Sequence, residues 1–186
     1  MAAITAAEIV LRYSIKTGSA GNSTASAPLT SLGKYISTTA WPSPGALNDL
    51  FDDISGAENA ASVVEYRCIF VYNSNGANNL QNAVVWVNPE TAGGANIAIA
   101  IDNLPASAIA SASAQAAEIA TEATIGGPGA SAGAFSTPTS QATGLSLGTI
   151  NPGQCRAFWV RRSATASSAL SNDGGTINVA GDTGNL

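Results

Sequence analysis

Between the turn at Asn151-Pro152-Gly153 and Ala164 the chain reads "QCRAFWVRRS", and large apolar side chains fall on both parities of that run. Cys155, Ala157, Trp159 and Arg161 would share one face of an extended strand, and Arg156, Phe158, Val160 and Arg162 the other. Successive side chains of a strand point to opposite faces, so this strand needs cover on both sides. A lone hairpin, or a sheet with one fully wet face, cannot supply that cover. Pro152 and Gly153 suit the central positions of a type II turn, where Pro fixes φ and Gly accepts a positive φ.

The same period of two recurs elsewhere. Ile9, Leu11, Tyr13 and Ile15 alternate with Val10, Arg12, Ser14 and Lys16, which predicts a half-buried strand. "VVEYRCIFVYN" (63–73) is rich in β-branched and aromatic residues. "NAVVWVN" (82–88) is expected to pair back on it through the turn "SNGANN", and "NIAIAIDN" (96–103), "GLSLGTI" and "GTINVAG" (175–181) complete the set. Short strands separated by turn signals predict a mainly β fold, an antiparallel β-sandwich. Its domain is placed at 63–186, with 1–62 as an N-terminal strand and extended arm; one single domain over the whole chain is the alternative.

Within the first 62 residues, Thr5 and Glu8 have the spacing of a capping box around a short helical turn. "TGSAGNSTASAP" (17–28) is turn chemistry. From 31 to 62 short apolar pieces are interrupted by Pro42 and Pro44, with one helical turn expected near "ALNDLFDD". Leu32, Tyr35, Ile36, Trp41, Leu47, Leu50, Phe51 and Ile54 are too irregularly spaced for one helix or strand. Residues 29–59 are read as an arm that fills pockets on a neighbouring molecule, with Trp41, held extended by Pro42, and Phe51 as aromatic anchors. The competing reading folds the arm over its own sandwich. "SASAQAAEIATEA" has helical composition, but Ile109, Ile119 and Ile125 are too few for a core-facing stripe and Gly127-Pro128-Gly129 breaks the pattern, so 106–140 is read as an extended edge segment followed by a loop.

Chemistry is constrained by what the composition omits. The chain has no histidine, which removes the commonest general base and the commonest transition-metal ligand. Two cysteines without CxxC spacing exclude a zinc site built from His and Cys. Asp49, Asp52 and Asp53 could place two carboxylates on one face of a helical turn, as a Ca²⁺ site or an acid/base pair, but they lack the ligand pattern of a calcium loop. A solvated turn, or salt bridges to a neighbour, is the plainer reading. No S-x-x-K motif accompanies Lys16 and Lys34, and no phosphate-loop pattern surrounds the Gly93-Gly94 or Gly126-Gly127 pairs. The expectation is a protein without enzymatic activity, cofactor or tightly bound metal. A net charge of −5 speaks against nucleic-acid binding, no apolar run is long enough for a membrane span, and the N-terminus lacks the pattern of a secretory signal. Charged residues are only 10% of the chain, which predicts a polar, weakly charged surface of the sort that packs against neighbours in an assembly.

Cys68 and Cys155 each fall in a predicted strand; an inter-sheet disulfide is one option and two buried free thiols the preferred one. Arg156, Arg161 and Arg162 are three of the seven basic residues. They read either as joints between chain segments or subunits, or as ordinary arginines at a strand end. Tyr35, Trp41, Phe51, Arg156, Arg161 and Arg162 are therefore the candidate interface residues.

"SLGKYISTTAWPS", "LFDDISGAE", "EYRCIFVYNSNG", "VVWV", "LGTINPGQCRAFWVRRSA" and "SNDGGTINVAGDT" occur in this order between Ser31 and Thr183. With them the chain resembles a family of tailed-bacteriophage virion structural proteins, and the strand–"NPG"–strand pattern resembles immunoglobulin-like modules of phage surfaces. The resemblance is weakest over 105–140. It implies an immunoglobulin-like β-sandwich, no catalytic residues, and a place in the virion after assembly in the host bacterial cytoplasm. A capsid decoration (cement) protein would bind the major capsid protein, often as trimers, and stabilise the head. A tail or baseplate component, or a host-surface adhesion module, is the alternative.

Overall fold

The computed structural model describes residues 3–185 except 26, 27, 43, 44, 47, 125, 126, 129–131 and 167–172, so Pro44, Leu47, Ile125, Gly126 and Gly129 lie outside the described residues. Nine strands are described: β1 (Ile9–Ile15), β2 (Tyr35–Ala40), β3 (Val64–Asn73), β4 (Asn78–Glu90), β5 (Asn96–Ile101), β6 (Ser107–Ala108), β7 (Leu145–Ile150), β8 (Gln154–Ser163) and β9 (Gly175–Asn185). They form two antiparallel sheets. The larger has the order β2-β1-β3-β8-β5, with β6 also on β8, and the smaller the order β7-β4-β9. The architecture is the antiparallel β-sandwich expected. Its strand order is its own, since an immunoglobulin constant domain distributes its strands as ABED against CFG.

The connections differ from the expected hairpin. β3 pairs with β1 and β8, while β4 lies in the other sheet between β7 and β9, so the chain changes sheets at 74–77. It changes sheets again, at the same end, through Asn151-Pro152-Gly153. Gly153 has φ 70° and the Gln154 amide donates to the Asn151 carbonyl at 3.0 Å, as a type II turn requires. Asn73, fully buried, ties the two corners together. Its side-chain amide donates to the carbonyls of Asn78 and Ile150, both at 2.9 Å, and its carbonyl accepts from the Gly153 amide at 3.0 Å.

Between the sheets, Ile69, Val71, Phe158 and Val160 face Leu80, Val85, Val87, Leu147 and Ile150 in one apolar cluster. On the other face of the larger sheet Cys68, Phe70, Ala157 and Trp159 make a second cluster with Leu32, Ile36, Ala116 and Ile119. The two-sided cover demanded by the sequence of β8 thus comes from within the chain. Over 102–136 there is no helix among the described residues; β6 and single bridges at Glu118, Ala132 and Ser136 hold an extended layer on the sheet. Asp102, fully buried, fixes this layer: its carboxylate accepts from the Trp159 indole (2.8 Å) and from the amides of Ala117 and Leu104 (2.9 Å each). Gln115 does the same nearby, accepting from the Ile36 amide at 2.9 Å and donating to the Ala108 carbonyl at 2.8 Å. A Cβ on Gly33, whose φ is 95°, would collide with the Ala117 carbonyl, so the layer can approach only a glycine there.

The first 62 residues are built into the same sandwich. β1 sits between β2 and β3, Ile36 is fully buried, and Leu50 and Phe51 join the main cluster. The reading of residues 29–59 as an arm reaching another molecule therefore gives way to the intramolecular one. "YISTTA" was not legible as a strand because its side chains are mostly small and polar; its free edge is covered by Gly21 and Ser23, which bond to Ile36 and Thr38. The helical turn also lies elsewhere. Asn48, with φ 68°, interrupts "ALNDLFDD", and the helix α1 forms at Gly56–Ala60, where Ser55 accepts from the Glu58 amide at 3.3 Å and Glu58 accepts from the Ser55 amide at 2.7 Å. The expected box at the N-terminus is present in part: Glu8 accepts from the Thr5 amide at 2.7 Å.

Candidate interaction surface

Two surfaces stand out among the described residues. The first is a cleft of about 1030 Å³ at the end of the sandwich where loop 41–55 meets the β4–β5 turn and the start of β9. Its floor is apolar, with Leu11, Trp41, Phe51, Ile97, Val160 and Ile177. Its rim carries Asp49, Asp52, Asp53, Glu90 and Asp173, with Arg162 the cation among its lining residues. That is a local charge of −4, set against −5 for the whole chain.

Below this cleft two guanidinium groups hold loop 41–55 to the larger sheet. Arg162 donates through Nε to Glu65 Oε2 at 2.8 Å, through Nη2 to Asp52 Oδ1 at 3.3 Å, and through Nη1 to the Asp52 carbonyl. Arg67, fully buried, donates to the Leu50 carbonyl at 3.1 Å and pairs with Glu122. The Phe51 ring is in reach of both, 5.0 Å from the Arg67 and 4.8 Å from the Arg162 guanidinium carbon. The Arg162–Glu65 pair is buried on both sides, so removing one partner leaves a costly unpaired charge.

The second surface is the outer face of the smaller sheet. Ala83, Val85 and Val87 of β4 point inward and are buried, so Val84 and Trp86 point outward. Trp86 stands opposite Asn178 on β9, and Val84 opposite Ala180 on β9 and Ser146 on β7. Asn178 donates to the Asn88 carbonyl at 2.7 Å. At the far end Asn82 donates to Asp182, the charged member of this face among the described residues, at 2.9 Å. The result is a nearly uncharged face with one half-buried indole, and a shallow concavity at Val84 beside Gln141 and Ala142.

The candidate residues separate accordingly. Trp41, Phe51 and Arg162 line the cleft, but Phe51 and Arg162 are buried and spent on contacts within the chain. The joint reading of the arginines fits Arg162 in its intramolecular form. Arg161 is half-buried on the opposite face, 5.1 Å from the Phe135 ring, and Arg156 is half-buried among the residues between the sheets, near Gly148. Tyr35 lies on the edge strand β2 opposite Ile15, beside the Lys34 ammonium at 5.5 Å. Trp86 was missed. The signal was present in "NAVVWVN", where Asn82, Val84, Trp86 and Asn88 share one parity and the buried residues the other.

Of the acidic run, Asp49 accepts from the Ala46 amide and Asp52 pairs with Arg162. Among the described residues no group of three or more His, Cys, Asp or Glu side chains is placed to hold a metal ion, and no helix is long and apolar enough to cross a membrane. Cys68 and Cys155 are both buried free thiols. Burial pushes the Cys155 thiol up to about 12 and raises that of Cys68 well above its ordinary value. The chain has no match among family models, curated proteins or solved structures.

Proposed function

We propose that this chain is a structural protein of a bacteriophage particle, a capsid decoration protein that binds the major capsid protein and stabilises the head. One observation carries the reading: the outer face of the smaller sheet presents half-buried Val84 and Trp86 among exposed Asn82, Asn88 and Ser146, with Gln141 and Ala142 beside its Val84 end. That face is nearly uncharged among the described residues and carries half-buried Trp86 opposite Asn178. Tryptophan is enriched at the centres of protein interfaces, and Asn, Ser and Thr can be desolvated there at less cost than charges. The buried polar groups support a binding role. Asp102, Glu65, Arg67 and Arg162 all hold segments of the fold together. The resemblance in sequence supplies the setting, and with it assembly as a trimer on the capsid.

Quantitative mass spectrometry of purified particles tests this. A decoration protein is present in hundreds of copies per particle, since it repeats over the head lattice. A small multiple of three or six would move the chain to the tail or baseplate. Absence from purified particles would end the reading altogether.

A further inference from the structure

Resting on that reading of a docking protein, we propose that the acidic cleft receives an extended basic segment of a neighbouring protein, with aliphatic side chains on the apolar floor and Arg or Lys side chains at the rim. The volume and the charge point to the same occupant. A cleft of about 1030 Å³ is far larger than a site for one ion and is open enough for several residues of extended chain. Its floor of Leu11, Trp41, Ile97 and Ile177 favours apolar groups. Trp41 is half-buried and lines the cleft, so its indole reports on what enters there.

The rim then selects the sign of the partner. Glu90 accepts from the Ile97 amide at 2.5 Å and Asp173 from the Ala95 amide at 2.7 Å, so backbone amides hold these carboxylates in place, and a carboxylate can accept more than one such bond. Asp53 is exposed and has no partner among the described residues. Arg162 is already counted in the cleft's net charge and is matched to Glu65 and Asp52, so it leaves Asp53, Glu90 and Asp173 without a cation. An anionic partner would meet a net −4 at short range, whereas Arg or Lys would complete half-satisfied carboxylates.

The test uses the isolated full chain, labelled with ¹⁵N, and the peptide acetyl-Leu-Arg-Ile-Arg-Leu-amide, with its counterpart carrying Glu in place of Arg as control. The Arg peptide should shift the Trp41 indole resonance together with the amides of Asp53, Ile54 and Ile177, and the shifts should recede as salt is raised. D53N should weaken binding by about two- to fivefold, as expected for one exposed ion pair. The proposal is overturned if the Trp41 indole does not move, if the Glu peptide binds equally well, or if the shifts map to the Trp86 face. Failure here with the protein counted in particles removes the cleft assignment alone. Binding by a protein absent from particles keeps the cleft as a peptide site and removes the virion setting.

Discussion

Asn73 does at one position what the order of strands requires at two. Its side-chain amide is shared between the Asn78 and Ile150 carbonyls, on the two segments that cross between the sheets. Asn73→Ala leaves those acceptors without their donor in a fully buried site and should lower stability by about 2–4 kcal/mol, read as a shift in the urea midpoint. An unchanged midpoint would show that the corners hold without it. The sequence did not reveal this residue, because its role exists only once two distant turns meet. Gly153 was legible, since a Pro-Gly pair specifies its own turn. The thiols give a second prediction. Burial raises both cysteine pKa values in the folded state, while the unfolded chain ionises near about 8.5. Their contribution is therefore fully present below about pH 8.5 and is lost as the pH rises towards the folded values. Tyr13, also raised to about 12 by burial and by Asp49, acts in the same direction at somewhat higher pH. Wild-type stability should fall between about pH 8 and about pH 10.5, and more steeply than in a Cys68→Ala, Cys155→Ala variant. Parallel slopes would mean that the thiols do not contribute.

Among the elements, the layer formed by 102–136 sat furthest from what sequence alone can decide. Its composition admits helix or loop, and its buried residues among those described, Asp102, Gln115, Ala116, Ile119, Gly127 and Pro128, follow neither a period of 3.6 nor of two. What fixes it is tertiary: a carboxylate and an amide side chain bonded to groups far away in the chain. Asp102→Ala should free the Trp159 indole, cost about 3 kcal/mol and shift Trp159 emission to the red as water reaches the outer face of the sheet. If emission and stability are unaltered, the layer is held by its apolar contacts alone. The strands β1 and β5 were legible because their alternation is strong, and β3 and β8 because they are runs rich in β-branched and aromatic residues. The helix α1 was misplaced by composition, although the Ser55–Glu58 spacing that caps it was there to be read.

At the scale of the whole molecule, the first 59 residues supply two strands and the core residues Tyr13, Ile36, Leu50 and Phe51. Deleting residues 1–59 should leave a chain that aggregates, because it uncovers an edge of β3 and opens both apolar clusters. A soluble, cooperatively folding fragment would instead show that the sandwich stands without its N-terminal strands. The proposed virion role is tested at the outer face of the smaller sheet. Hydroxyl-radical footprinting read by mass spectrometry compares the three tryptophans in the free protein and in the particle. Trp86 should be oxidised in the free protein and protected in the particle, with fully buried Trp159 protected in both as the internal reference. Equal oxidation of Trp86 in the two states would contradict the account, since the face proposed to carry binding would then be exposed to water throughout.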